Sequence, residues 1–408
     1  MRLITSIVVS MSALFSLAQS MMPIQHDTLQ LDQELIVSGT ADFSSTSLQN
    51  ELMQKLFYGG EITFGIKNRS FIDHKGINRF GADISGEVEY RNLKLNLFKN
   101  PNWGLTVKSG YYNYVSLLYS KDLYGLTFFG NDNYLGQNVN LSGTRFLGMS
   151  FQKFGFGVVD KKSKSSVSFN VYSLSNYAEA TVYDGNLFQS ASADSVSLSM
   201  HGNFDFSNGE SFVKGMGAGV DLDFRLPVMF REGKTSFIQF QAKNLGIYSF
   251  QKNITRYSAD TTLHFTGLTF DQILGENAIF NNNFSLMDSL GIDSLGIRKW
   301  RFLPCFIQVG KIVDEMDSSR VQSFYGIRMY STSAFVPMIY GGLHYRLTNA
   351  FGLGMNLSFG GYSNTRFGIY AQCQFGNFSA GIASENLTGI FLKGAKGESI
   401  LIRLRCKF

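Results

Sequence analysis

The chain has 408 residues and a formal net charge of +5, with Gly 42, Tyr 19 and Phe 38 against only Pro 5. That charge is mild and scattered singly, which suggests neither a nucleic-acid binder nor an acidic-ligand protein. Hydrophobic residues make up 44%, yet no run after residue 20 is long enough to cross a bilayer as a helix. Apolar content spread in alternation, with aromatics and glycines, points instead to an all-β protein: a transmembrane antiparallel β-barrel.

The first 20 residues read as an export signal. Arg2 supplies the positive start, Leu3 to Leu17 an apolar stretch, and Ala18-Gln19-Ser20 a small-x-small cleavage site. No Cys follows that site, so a lipoprotein is not expected. Residues 21–56 are polar and Ser/Thr-rich, and are expected to be a periplasmic or lumen-inserted segment. The barrel is expected over residues 57–408. Its first alternation sets Ile62, Phe64 and Ile66 against Glu61, Thr63 and Gly65. Val88 and Tyr90 continue the pattern, then Leu93, Leu95 and Leu97 after a change of parity near Arg91–Asn92 that suggests a bulge. Asn100-Pro101-Asn102 is a turn. Gly130-Asn131-Asp132-Asn133 reads as a plain turn, because no calcium-ligand spacing follows it. Phe154, Phe156 and Val158 alternate with glycines, and Val167, Phe169 and Val171 return after the charged turn at 160–164. Residues 184–194 read as a loop.

Residues 215–228 are the most regular internal stretch. Met216, Ala218, Val220, Leu222, Phe224 and Leu226 share one face; Gly217, Gly219, Asp221, Asp223 and Arg225 share the other. In the next strand Gln239, Gln241 and Lys243 face inward. A long loop is expected at about 250–299, with a short helix at Phe270 to Leu274. Closely spaced strands then run to the end at 302–312, 320–330, 336–347, 351–360, 364–375, 377–385 and 397–408. The total comes to about 14 strands, within a range of roughly 12 to 16, and an even number keeps both termini on one side.

The last strand is the clearest. Ile400, Ile402, Leu404, Cys406 and Phe408 fall on one face, and Leu401, Arg403, Arg405 and Lys407 on the other. An oily face opposite three cations suits a strand between lipid and a wet lumen. By the same parity the lumen-lining residues are Asp221, Asp223, Arg225, Lys243, Arg328, His344, Arg346, Arg366, Arg403, Arg405 and Lys407. They are expected to give a lumen that either prefers anions or is plugged by salt bridges.

The motifs Gly217-Ala218-Gly219-Val220-Asp221-Leu222 and Lys243-Asn244-Leu245-Gly246, with the glycine-spaced strands from Phe351 to Phe408, make the chain resemble a Bacteroidota outer-membrane β-barrel family of unknown function. That family is related to FadL-type solute channels and PorV-type secretion accessories. The terminal Phe408 resembles the assembly signal of such barrels. There is no Asn-Pro-Ala near the mature N-terminus, where FadL-type barrels start an inward hatch. The resemblance implies a bacterial outer-membrane location, with outer-membrane lipid and the barrel-assembly machinery as partners.

The five histidines (26, 74, 201, 264 and 344) show no triad or metal spacing, and there is no phosphate-cradling loop. Cys305, Cys373 and Cys406 are odd in number and far apart, so neither a disulfide framework nor a metal site is expected. No enzyme and no cofactor are expected. Two functions stand: a passive, porin-like conduit for small or hydrophobic solutes, or a non-transport scaffold serving a secretion or cell-surface complex.

Overall fold

Strand alternation governs most of the described residues between Gln33 and Lys407. The computed structural model describes residues 32–207, 212–231, 234–265, 292–314, 317 and 319–408. The expected signal peptide and the helix at 270–274 lie outside these residues. Fourteen wall strands, all antiparallel to their neighbours, form a closed barrel. They are β1 (Gln33–Ser45), β2 (Ile77–Asn92), β3 (Trp103–Ser120), β4 (Asn138–Asn140 and Arg145–Asp160), β5 (Ser166–Gln189), β6 (Val196–Ser207 and Gly215–Arg231) and β7 (Lys234–Phe265). The ring continues with β8 (Ile292–Phe302 and Phe306–Ile312), β9 (Val321–Tyr330), β10 (Val336–Arg346), β11 (Phe351–Gly361), β12 (Thr365–Phe375), β13 (Phe378–Ser384) and β14 (Gly397–Lys407). Three of these are interrupted strands: both parts of β6 and of β8 pair with the one long strand β7.

The ring closes where β1 pairs with β14, from Glu34↔Lys407 to Ser44↔Gly397. This corrects the expectation for 21–56. Residues 33–45 are a wall strand because Glu34, Ser38, Thr40 and Asp42 turn inward while Leu35, Val37, Ala41 and Phe43 turn outward, a contrast softened by small side chains. The expected loop at 250–299 is also corrected. Residues 251–265 extend β7 and 292–299 belong to β8, because their mixed polar side chains still satisfy the backbone by laddering. Likewise β5 runs on to Gln189 through part of the expected 184–194 loop. No bulge occurs at 91–92: β2 ends there, and Leu97–Lys99 is a short 3-10 turn.

Outward positions carry a band of apolar side chains, among them Phe169, Ile339, Met355, Leu357 and Phe359, all exposed. Such a continuous exposed apolar surface is stable against lipid and not against water. Inward positions are polar or tightly packed aromatic. At the end that holds both termini short turns lie at 161–165, 347–350 and 376–377, and the connection at 93–102 holds only a 3-10 turn. At the far end the connections at 46–76, 121–137 and 385–396 are longer and hold the helices α1 (Asn50–Tyr58), α2 (Phe64–Ile72), α3 (Lys121–Phe129) and α4 (Leu387–Phe391).

The α2 segment had strand-like alternation, but Thr63 caps a helix by accepting from the Ile66 N–H at 3.5 Å, and Ile66 and Ser70 bury the same helical face. Helices α1 to α3 form a collar on the outside of the wall. Asp42 and Asp83 line the lumen, so their neighbours Phe43 and Ala82 point outward. Phe43, Phe80, Ala82, Val115 and Leu117 are covered by Leu52, Met53, Phe57, Ile66 and Tyr124.

Candidate functional site

Among the described residues the lumen gathers a dense concentration of charge. Its inward residues sit in three groups. Near the terminal end, Glu34 on β1 lies directly opposite Arg91 on β2, and Glu89 opposite Lys108 on β3. The Arg91 Nε donates to Glu89 at 2.9 Å, and its charge lies 3.6 Å from Glu34. Across the barrel on β6, Arg225 donates to Asp223 at 3.1 Å, and Gln239 donates to the other oxygen of Asp223 at 2.7 Å.

At mid-height Lys153 is fully buried between two carboxylates, bonded to Glu87 and to Asp221, the latter at 2.9 Å. Glu87 also pairs with Lys243 at 3.1 Å and accepts from the Tyr112 hydroxyl at 2.6 Å. Glycines make room for these long side chains: Lys153 lies opposite Gly110, and Lys108 opposite Gly155. A Cβ on Gly155 would sit 1.9 Å from the Asn170 side chain. The far half holds the third group. Arg366 pairs with Asp42 at 3.0 Å and Glu385 at 3.4 Å, Arg328 pairs with Glu385 at 3.2 Å, and the Tyr330 hydroxyl donates to Asp83 at 3.1 Å.

Beside these charges runs a packed aromatic layer of Tyr112, Tyr114, Phe151, Tyr172, Tyr177, Tyr248 and Phe250. Residual space inside is a cavity of about 110 Å³, charged on one side and bounded on the other by Tyr114, Phe306, Tyr330, Phe335 and Tyr362.

The expected residues divide as follows. Asp223, Arg225, Lys243, Arg328, Arg366, Arg403 and Arg405 all line this cavity. Asp221 lies behind it, held by Lys153 and by the Asn244 N–H at 2.8 Å. His344 and Arg346 line a separate recess with Gln372 at the terminal rim, where His344 bonds the Tyr370 hydroxyl at 2.9 Å. Lys407 is buried near the end of β14, away from the cavity. Glu34, Asp42, Asp83, Glu87, Glu89, Arg91, Lys108, Lys153 and Glu385 were not anticipated. The alternation of Glu87, Glu89 and Arg91 with Val88 and Tyr90 was the available signal for three of them.

Among the described residues no group of side chains is placed to hold a metal ion, and no helix is long and apolar enough to cross a membrane. In these terms the lumen can bind, select or exclude charged groups, and its carboxylates also accept from hydroxyls, as Glu89 does from Thr106 and Glu87 from Tyr112.

Solved structures similar to this chain include the toluene transporter TodX of P. putida, at 9% identity and a TM-score of 0.36, covering 93% of this chain and 90% of that one. Another is the translocator domain of the autotransporter NalP from Neisseria meningitidis, at 7% identity and a TM-score of 0.27, covering 100% and 94%. A third is the transport unit of the autotransporter AIDA-I from Escherichia coli, at 9% identity and a TM-score of 0.25, covering 99% and 97%. Likenesses at this level carry no argument about what the chain does. No curated protein matches it. The model of DUF5723, a family of unknown function, matches residues 35–385, and the chain belongs to that family.

Proposed function

We propose that the protein is an integral barrel of a bacterial outer membrane and a conduit for small solutes that is closed at rest. The short-turn end that holds the termini then faces the periplasm, and the helices and long loops face outward. The observation that carries the reading is how the lumen is closed. Ion pairs and aromatic side chains of the wall strands fill it, around a central cavity of about 110 Å³ with one charged and one aromatic side. Side-chain closure of this kind opens by rearrangement of rotamers and pairs, without expelling a folded domain. The reading is non-enzymatic and needs no cofactor, and it carries with it the resemblance to Bacteroidota barrels.

Conductance in planar bilayers tests it. The wild-type protein should show no steady open pore, and loosening the mid-height pairs with Lys153→Met and Glu87→Gln together should produce conductance or solute exchange. A large steady wild-type conductance would sink the closed state. A loosened variant that folds and still passes nothing would sink the conduit.

A second reading, a PorV-like interaction barrel, is favoured by one further observation. The upper parts of β5 to β8 project as a polar sheet, where His201 pairs with Asp260 at 3.2 Å, both exposed. That sheet is a surface a secretion or surface-complex protein could grip. Recovery of one stoichiometric native partner after crosslinking, together with absent solute passage, would favour it.

A further inference from the structure

We propose that the terminal half of the lumen is a binding site for one small oxyanion, such as phosphate, sulfate or a carboxylate, held by Arg403 and Arg225. Arg91 and Arg405 border the same cavity, so four guanidinium groups from β2, β6 and β14 meet there. The nearby acids are already engaged. Glu89 accepts from Arg91 at 2.9 Å, Glu34 is 3.6 Å from Arg91, and Asp223 accepts from both Arg225 and Gln239.

The Arg403 side chain makes no ion pair or hydrogen bond among the described residues, and its Nε is buried without a partner. The charges of Arg405, Arg225 and Arg91 all act on it, with Asp223 as the opposing one. Arg225 is only 5% exposed, and its Nε is likewise buried without a partner. Buried N–H donors of a charged group left unmade are costly, and clustered like charges away from bulk water repel one another. A water molecule would satisfy the donors but not the charge. An anion with two or more oxygens does both, because the guanidinium fork matches a carboxylate, sulfate or phosphate edge. The cavity of about 110 Å³ suits a small ion, with Ile36 and Leu401 beside Arg403. The other acids that line it are engaged elsewhere: Asp42 by Arg366, Glu385 by Arg328, Glu87 by Lys243 and Asp83 by the Tyr330 hydroxyl. The site does not depend on whether the barrel conducts.

The test is calorimetric titration of the folded full-length barrel in detergent with sodium phosphate, and in parallel with sulfate and with acetate, at constant ionic strength. Saturable one-to-one binding is expected for at least one of them, and the strongest arm identifies the anion. Arg403→Met and Arg225→Met should each weaken it about tenfold or more, while Arg145→Gln, on an exposed far-end position, should not. If a Met variant fails to fold, Arg403→Lys keeps the charge and loses the fork, and should still weaken binding several-fold. No saturable binding of any of the three anions to the wild type overturns the proposal. Binding unchanged in whichever Arg403 variant folds also overturns it.

Discussion

Asn50 grips Gly397 from both sides: its Oδ1 accepts from the Gly397 N–H at 2.7 Å, and its Nδ2 donates to the Gly397 carbonyl at 3.1 Å. The same Nδ2 donates to the Gly389 carbonyl at 2.8 Å. Gly397 opens β14 at the seam with β1, so a residue of the outer collar holds the point where the barrel closes. Asn50→Ala leaves a buried N–H and carbonyl unpaired and should cost about 1–3 kcal/mol. The shift from folded to unfolded mobility on unheated gels, followed against temperature, should move to lower temperature. An unchanged midpoint would show that the seam needs no clamp.

Lys153 is the pivot of the mid-height network. Lys153→Met removes one cation from between Glu87 and Asp221 and should destabilise by about 3–5 kcal/mol, the cost of stranding a buried charge. Adding Glu87→Gln should recover part of the loss. Urea unfolding of the refolded barrel measures both. If the double variant is no better than the single one, the pair is not coupled.

The two faces of the wall should respond oppositely to charge. Met355 is outward at the middle of β11, and Met355→Arg should cost about 2–4 kcal/mol. Leu404 is also outward but close to the end of β14, so Leu404→Arg should cost only about 0–1 kcal/mol. Arg403→Leu, on the lumen face and without an ion pair, should assemble normally. Folding yield into lipid vesicles ranks the three, and a yield lower for Arg403→Leu than for Met355→Arg would reverse the assignment of faces.

The collar should be acid-sensitive. His74 donates from Nδ1 to the Ser70 carbonyl at 2.7 Å and bonds the Tyr119 hydroxyl through Nε2 at 3.0 Å. Burial lowers its pKa to about 4; the Ser70 carbonyl and Asp73 oppose that shift, and Lys121 and Lys396 reinforce it. The folded collar therefore holds fewer protons than the undocked one between pH 4 and 6.5. Its docking is fully present above 6.5 and is lost as pH falls toward 4, by on the order of 2 kcal/mol. Amide exchange in α2 should quicken over that window, and His74→Phe should flatten the dependence. Exchange in α2 that ignores pH would remove His74 from this role.

Much of the wall was legible because β9 to β14 alternate strongly, with large apolar residues outward and glycines or charges inward. Ile400 and Leu404 against Arg403 and Arg405 needed no tertiary information. β1 was hidden because Gly39, Thr40 and Ala41 give its faces little contrast. The collar was hidden because its apolar residues have two neighbours, wall and surroundings: Ile66 is buried while Phe64 and Ile72 are exposed, which blurs the helical period. The extra length of β5 to β8 was hidden because polar side chains mark a strand clear of the lipid band as they would mark a loop. The inward cations were found by parity, but their partners lie on strands far away in sequence. The pairing of Arg366 with Asp42, for example, spans 324 positions and follows only from closure of the ring.

Asn244 works like a frameshift in the wall. It sits at φ 58 where the register of β7 against β6 slips between Val220 and Leu222. Before it, odd-numbered residues Gln239, Gln241 and Lys243 face the lumen; after it, even-numbered residues Tyr248 and Phe250 do. One added residue thus changes the subscript by which the strand addresses its two solvents. Deleting it would send two aromatic rings out of the core and every later side chain of β7 to the wrong side. The boundary between the charged and aromatic halves of the lumen is therefore written as a count of residues, not only as a choice of them.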